Sequence, residues 1–153
     1  MYKSSENHIK LNQRDIERLV EAVDIIKAWA RDNLCEIVLF GSYARGEQKK
    51  YSSIDILVIL TESQEDFIQR KTALEKILNS SGAIPLIDTL VYTEDEIKDL
   101  IKKKESFIVS VLEEGCVICN GKDNIEIQKI NTLPHIIHSK YFDLLPSLNE
   151  VDV

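Results

Sequence analysis

The sequence has 153 residues, of which 44% are hydrophobic, and carries a formal net charge of −7 at pH 7. This length suits one compact domain with its own core and leaves little room for a second. The negative charge argues against a protein that grips nucleic acid, because phosphate backbones are usually bound through a surplus of lysine and arginine. Neither a membrane-length apolar run nor the apolar centre of a secretory signal is found, so we expect a cytoplasmic protein without membrane contact.

The chain begins with a helical pattern and continues with two apolar runs. Apolar residues recur every three or four positions from about Asn12 to Asp32, which predicts a helix with one buried face. Glu36–Phe40 is a short β-branched run that ends at Gly41, and Ile54–Leu60 is a second, nearly continuous one. Such runs are typical of strands that are covered on both sides.

The second half of the chain alternates helices with strands. Thr61-Glu62-Ser63 offers a helix start, and the inward face of that helix would consist of Phe67, Leu74, Ile77 and Leu78. The run "LIDTLVY" predicts a third strand. Thr93 and Glu96 have the spacing of a capping box at the head of the next helix, and a further helical segment carries Phe107, Ile108, Val111 and Leu112.

Three cysteines are present, and two of them have the spacing of a metal or redox motif. An odd number of cysteines without an export signal predicts free thiols at Cys35, Cys116 and Cys119. The run "GCVICNG" predicts a fourth strand, in which residues three apart point to opposite faces, so we favour a buried strand over a zinc or redox site. His135 and His138 lack the acids and cysteines that would complete a zinc site, and we expect both to be structural.

These elements predict an α/β (α+β) fold, a mixed sheet of about four strands with helices packed on it. We expect residues 1–123 to form the domain and residues 124–153 to form a C-terminal extension. Leu133-Pro134, Tyr141-Phe142 and Leu144-Leu145-Pro146 make that extension too apolar for a disordered linker. It would either pack back onto the domain, which we favour, or bind a partner, and an oligomer is compatible with the sequence.

Gly41-Ser42 lies at the end of a predicted strand and is followed by the helix-compatible "YARGE". Glycine permits close approach of a phosphate, the serine hydroxyl can hydrogen-bond it, and the amides of a helix start carry partial positive charge. Arg45 could contact the same phosphate, although an arginine on a solvated helix surface is more common. Taken alone, Gly-Ser is far more often an ordinary strand-to-helix turn than a phosphate site.

Two aspartates interrupt the predicted strands. Asp55 lies near the start of one strand, and Asp88 lies in the next strand along the chain. Aspartate is depleted from strand interiors and costly to bury without a partner. We therefore favour a site in which both acids share a cation or line a polar cleft, over the alternative that each is wetted at a strand end.

The motifs "GSYARG", "SSIDILV" and "IDTLV" resemble those of nucleotidyltransferases of the DNA polymerase beta superfamily, most of all the small stand-alone members that act as antitoxins to HEPN-type toxins. The family pattern is Gly-Ser, ten residues, Asp-x-Asp, and a third Asp on a later strand. The resemblance implies that Gly41, Ser42 and Arg45 bind the phosphates of a nucleoside triphosphate. It implies Asp55 and Asp88 as catalytic residues and magnesium ligands, with Asp88 helping to deprotonate the acceptor.

The sequence departs from the family pattern at Ser53, which stands where the first metal-binding aspartate is expected. A neutral hydroxyl is a poor replacement for a carboxylate at magnesium, although water could fill the gap, and Glu47 is near enough in sequence to substitute as a ligand. Two functions follow. In the first, which the resemblance implies, the chain would transfer a nucleotide, AMP from ATP, to a hydroxyl of a protein or small molecule, as an antitoxin to a HEPN-type toxin would. In the second, it would be a catalytically weakened module that binds a nucleotide or a protein.

Overall fold

The computed structural model describes residues 6–145 as nine main helices and strands. In chain order they are α1 (Gln13–Ala30), β1 (Leu34–Phe40), α2 (Gly41–Arg45), β2 (Ile54–Leu60), α3 (Phe67–Leu78), β3 (Ile87–Thr93), α4 (Glu94–Lys102), α5 (Ser106–Glu114) and β4 (Cys116–Cys119). Short 3-10 helices cover Arg31–Asn33, Ile127–Thr132 and Phe142–Leu144. Within residues 6–145, the length and apolarity that a bilayer-crossing helix requires are not met by any helix.

The strands form one mixed sheet in the order β3-β2-β1-β4. β1 runs antiparallel to β2 and β4, whereas β2 and β3 are parallel. The parallel register places Asp55 opposite Asp88 on neighbouring strands. The predicted mixed sheet of four strands is therefore confirmed, and β2 has the limits that the sequence predicted.

The core has two parts, one on each face of the sheet. Side chains alternate along a strand, so Ile56 and Val58 pack with α1 and α3 on one face. Leu57 and Ile59 pack with α4 and α5 on the other face. Burial of each such aliphatic side chain stabilises the fold by about 1.5–3 kcal/mol. Because Asp55 is in phase with Leu57, its side chain belongs to the face that α4 and α5 cover.

Helix α3 starts later than the sequence predicted. It begins at Phe67 and not at Thr61–Ser63, because Asp66 accepts a hydrogen bond from the Gln69 amide while the Gln69 side chain accepts one from the Asp66 amide. This reciprocal capping box fixes the helix start. The predicted inward face is also wrong at Ile77, which is 43% exposed.

Polar side chains of α3 bond the outer edge of β3. Arg70 is buried, and its guanidinium reaches from the helix to the strand. The same guanidinium pairs with Glu96 of α4 at 2.6 Å. Three side chains of α3 and that of its C-cap residue satisfy backbone groups at alternate residues of β3. The C-cap residue Asn79 bonds Ile87, Glu75 and Lys71 bond Thr89, and Arg70 bonds Val91. The edge strand is therefore held by its neighbouring helix as well as by β2.

The three cysteines are free thiols, as predicted, and Cys116 and Cys119 are buried in β4. Their predicted placement on opposite faces is wrong, since both belong to the core cluster beneath α1. The pairing of β4 with β1 shifts register between Val38 and Ile37, which breaks the simple alternation. No cluster of three metal-ligating side chains includes them among residues 6–145.

The described part of the C-terminal extension lies against the domain. The carbonyl of Ile137 accepts a 2.7 Å hydrogen bond from the amide of Val117 in β4. The hydroxyl of Ser139 donates to buried Glu36 at 2.6 Å, and the ring of His138 stacks on Phe142 with centroids 3.8 Å apart. The boundary at residue 123 stays a prediction, and the part of the predicted extension from residue 146 onward lies outside the described residues.

Candidate active site

Gly41 forms the junction between β1 and α2 and approaches Asp55 closely. Its φ of +72° lies in the left-handed region, which side chains rarely adopt. A Cβ atom at this position would lie 2.2 Å from Asp55 Oδ2, well inside contact distance. Only glycine therefore allows this turn to pass so close to the carboxylate.

Asp55 and Asp88 are the second residues of parallel strands and lie side by side. Together they line a cavity of about 310 Å³. Its other lining residues are Phe40, Gly41, Arg45, Lys71, Thr89, Leu90, Phe107 and Glu114. The Asp88 side chain is 60% exposed at the start of its strand, whereas Asp55 is half-buried. The two acids thus share one polar cleft, and Asp88 also contacts solvent.

The environments of the two acids shift their pKa values in opposite directions. Burial, followed by the negative charge of Asp88, raises the pKa of Asp55 to about 6. Burial alone would raise the pKa of Asp88, but hydrogen bonds with Lys71 and Glu75 outweigh it and lower that pKa. Asp55 is therefore the stronger base of the pair.

A lysine side chain reaches the acid pair from α3. Lys71 Nζ lies 2.8 Å from Asp88 Oδ1 and 2.8 Å from Glu75 Oε2, and it donates to the Thr89 carbonyl at 2.6 Å. Burial disfavours its ammonium form, yet the bonds to Asp88 and Glu75 outweigh this cost and raise the pKa of Lys71. The lysine is therefore a fixed positive charge beside Asp88.

A second ion pair lies on the Gly41 side of the cavity. Arg45 Nη1 lies 3.0 Å from one carboxylate oxygen of Glu114 and 3.2 Å from the other, and Arg45 Nε donates to Glu47 at 2.9 Å. The Gly41 amide also donates to Glu114, at 3.2 Å. Two of the three residues that the sequence assigned to phosphate, Gly41 and Arg45, therefore hold a carboxylate of the same chain.

The structure brings together four of the six predicted site residues. Gly41, Arg45, Asp55 and Asp88 line the cavity, whereas Ser42 and Ser53 are half-buried and do not line it. Glu47 also lies outside the cavity lining, with its carboxylate on Arg45. Sequence reasoning missed Lys71, Glu75, Phe107 and Glu114, although the i,i+4 spacing of Lys71 and Glu75 is a recognisable ion-pair signal.

The donor set does not fit two divalent ions. Within residues 6–145, no three side chains of His, Cys, Asp or Glu converge in an arrangement that could hold a metal ion. Two neighbouring carboxylates that raise each other's energy do fit a single cation, because an ion between them would relieve their repulsion. Asp55 and Asp88 would hold that ion, provided that Lys71 leaves Asp88.

A larger cavity, of about 530 Å³, lies near the C-terminal extension and does not contain the acid pair. Its buried carboxylate, Glu36, is already bonded by the hydroxyl of Ser139 and by the Lys140 amide. The smaller cavity therefore carries the stronger case for chemistry.

Replacing Asp55 by asparagine is expected to stabilise the fold at neutral pH. The native pKa of Asp55, about 6, exceeds the ordinary value of 3.8. The stability that its bound proton contributes is therefore present below pH 4 and is lost as pH rises through 6. We expect Asp55→Asn to raise the free energy of unfolding at pH 7.5 by about 1–2 kcal/mol.

Urea unfolding of the parent and the Asp55→Asn variant between pH 4 and pH 8 measures this effect. The exposed Asp24→Asn variant on α1 controls for the loss of one negative charge. An Asp55→Asn protein whose stability followed the same pH course as the parent would contradict the assigned environment of Asp55.

Comparison with known proteins identifies the family. A protein of Methanocaldococcus jannaschii named "Putative protein adenylyltransferase" is 37% identical over 100 residues, which cover 64% of this chain and 91% of the relative. A bifunctional uridylyltransferase/uridylyl-removing enzyme of Pseudomonas putida is 26% identical over 147 residues, covering 86% of this chain but 16% of that enzyme. A crystal structure of a toxin-antitoxin with AMP-PNP has a TM-score of 0.47 and 17% identity, covering 77% of this chain and 82% of that one. Residues 23–119 match the model of the nucleotidyltransferase domain, and the chain therefore belongs to that family.

Proposed function

We propose that this chain transfers AMP from ATP to a hydroxyl group of a protein. The observation that carries the proposal is the Asp55–Asp88 pair in one cavity with Gly41 and Arg45, in a chain that belongs to the nucleotidyltransferase domain family. The name of the M. jannaschii relative, which is 37% identical, supports a protein acceptor and an adenylyl group.

The proposed roles follow from the position of each group. Gly41, Ser42 and Arg45 would hold the terminal phosphates of ATP, for which Arg45 has to release Glu114. Asp55 and Asp88 would hold one divalent ion, magnesium in the cell. When bound, that ion supplies positive charge against the phosphate on which charge develops. The protein thus contributes positioning and electrostatic stabilisation, which dominate phosphoryl-group chemistry.

The acceptor hydroxyl has to lose a proton during transfer. The family resemblance assigns this role to Asp88. In the metal-free protein the pKa of Asp88 is lowered and that of Asp55 is raised, so Asp55 is the more basic of the two before a cation binds. Both carboxylates line the same cavity, so either would lie near a phosphate bound there.

For the partner, the family resemblance suggests a helical toxin of the HEPN type. The chain would then act as an antitoxin that modifies a hydroxyl of this toxin. Co-expression of the chain with such a protein, followed by intact mass measurement, tests this finer proposal: an added mass of one AMP supports it.

Radiolabelled ATP tests the proposed reaction directly. The chain and candidate acceptor proteins are incubated with ATP labelled on either the α-phosphate or the γ-phosphate. Nucleotidyl transfer places the α label on the acceptor and leaves the γ label in pyrophosphate. Transfer of the γ label would show phosphorylation and would contradict the proposal.

A second function is favoured by the departures within the site. Ser53 replaces an expected carboxylate, and Glu114 holds both the Gly41 amide and Arg45. A site so altered suits a module that binds nucleotide or protein without efficient transfer. Calorimetric binding of ATP, with transfer of neither label to any acceptor offered, would favour this function.

A further inference from the structure

The ammonium group of Lys71 is fully engaged at the acid pair. It has three hydrogens and three acceptors, Asp88 Oδ1, Glu75 Oε2 and the Thr89 carbonyl, all within 2.8 Å. Lys71 extends from α3, which covers the opposite face of the sheet from α4 and α5. Its side chain therefore passes the outer edge of β3 to reach Asp88.

The charges around the cavity are unusual for a site built to take up two divalent ions. Asp55 and Asp88 remain after Ser53 replaces the first expected acid, and Lys71 already supplies one positive charge to Asp88. On the Gly41 side of the cavity, the guanidinium of Arg45 is paired with the carboxylate of Glu114. A divalent cation that binds Asp88 would therefore have to displace the ammonium group of Lys71 from this carboxylate.

We propose that Lys71 is the built-in cation of this site, which competes with a divalent metal ion for Asp88 and thereby weakens metal binding. The inference rests on the proposed function only for the location of the site. A lysine is a compact point charge on a flexible stem, so it can release Asp88 when a stronger cation arrives. Lys71 thus acts as a positioning residue that determines the metal concentration at which the site becomes occupied.

Metal affinity of the nucleotide-free protein tests this competition. Manganese(II), a divalent ion with a preference for oxygen ligands, is titrated into the parent and the Lys71→Met variant and followed by calorimetry and electron paramagnetic resonance. We expect the variant to bind manganese at least about tenfold more tightly, because close charge pairs couple by that much or more. The Asp88 side chain is 60% exposed, so solvent screening keeps the expected gain modest.

Two matched variants separate competition from a general change in charge. Lys76→Met removes a lysine from the exposed side of the same helix and should leave manganese affinity unchanged. Lys71→Arg keeps the positive charge and should bind manganese as weakly as the parent does. Thermal unfolding of each variant verifies that the fold is retained.

Equal or weaker manganese binding by a folded Lys71→Met protein would overturn the inference. Should this variant fail to fold, the parent still allows a test, since magnesium that reaches Asp88 has to shift the nitrogen resonance of the Lys71 ammonium group. Binding at Asp88 that leaves this resonance unmoved would also overturn the inference. Neither measurement requires nucleotide transfer. If the Lys71→Met variant binds manganese more tightly than the parent but neither protein transfers a nucleotide, only the proposed function is contradicted.

Discussion

Ser53→Asp is expected to increase nucleotide transfer from ATP by at least about a hundredfold, because a charge contact made in the transition state is worth roughly 3 kcal/mol or more. Position 53 immediately precedes β2, two residues before Asp55, so an extended backbone at this position would place both side chains on the same side of the chain. A carboxylate there restores the third acid of the family pattern. The rate of α-label transfer from ATP measures the gain.

Two substitutions control this experiment. Ser53→Ala removes the hydroxyl and should change transfer little. Ser52→Asp adds the same charge one residue away, on the opposite side of the chain from Asp55. In the parent, Ser52 Oγ accepts a hydrogen bond from the Lys49 amide at 2.9 Å. Equal transfer by the parent and the Ser53→Asp protein would show that position 53 is not the missing ligand.

Gly41→Ala is expected to lower the free energy of unfolding by about 3 kcal/mol. A left-handed backbone costs a side chain about 1–2 kcal/mol, and forcing an extra methyl group into a packed site adds about 1–3 kcal/mol. The added Cβ would lie 2.2 Å from Asp55 Oδ2, so Asp55 has to move and the cavity loses its geometry. Urea unfolding measures the stability change, and α-label transfer measures the accompanying loss of activity.

Gly82 offers a control with a similar positive φ and open space where a Cβ would lie. Its φ is +71°, and a Cβ there would meet nothing within 4 Å. Gly82→Ala should therefore cost only the backbone contribution, about 1–2 kcal/mol. The difference between the two losses of unfolding free energy therefore measures the cost of the close approach of Gly41 to Asp55. If both variants lose the same stability, that close approach does not constrain the fold.

Local sequence signals predicted the strands and one helix cap well. The β-branched run Ile54–Leu60 corresponds to β2 because burial on both faces demands a continuous apolar strand. Thr93 and Glu96 form the predicted capping box, with both reciprocal hydrogen bonds present. At these two places, signals that depend on residues close in sequence were therefore sufficient.

Competing local signals led to the error at α3. Thr61-Glu62-Ser63 and Asp66-Phe67 are both acceptable helix starts, and only the reciprocal bonding of Asp66 with Gln69 decides between them. The same helix buries Arg70 at 2% exposure, since its guanidinium bonds Glu96 and the Val91 carbonyl. A periodicity of apolar residues cannot anticipate a buried arginine.

The charged partners in the cavity were beyond the reach of sequence patterns for a geometric reason. Asp88 and Lys71 are 17 residues apart, and Arg45 and Glu114 are 69 residues apart. Their meeting depends on sheet order and on how α3 and α5 pack, neither of which the local pattern specifies. The acid pair was easier to predict, because an aspartate within an apolar strand can be recognised from the sequence alone.

The bonds from α3 to β3 also restrict how this protein can meet other chains. Side chains of α3 and of its C-cap residue already occupy backbone groups of Ile87, Thr89 and Val91, so the outer strand offers an incoming strand few free donors and acceptors. At the opposite end of the sheet, the amide of Val117 is bonded by Ile137. Recognition by β-augmentation is thereby disfavoured at both ends. If the proposed transfer to a protein takes place, the acceptor would present its hydroxyl from a loop or a helix, docked through side chains around the mouth of the cavity.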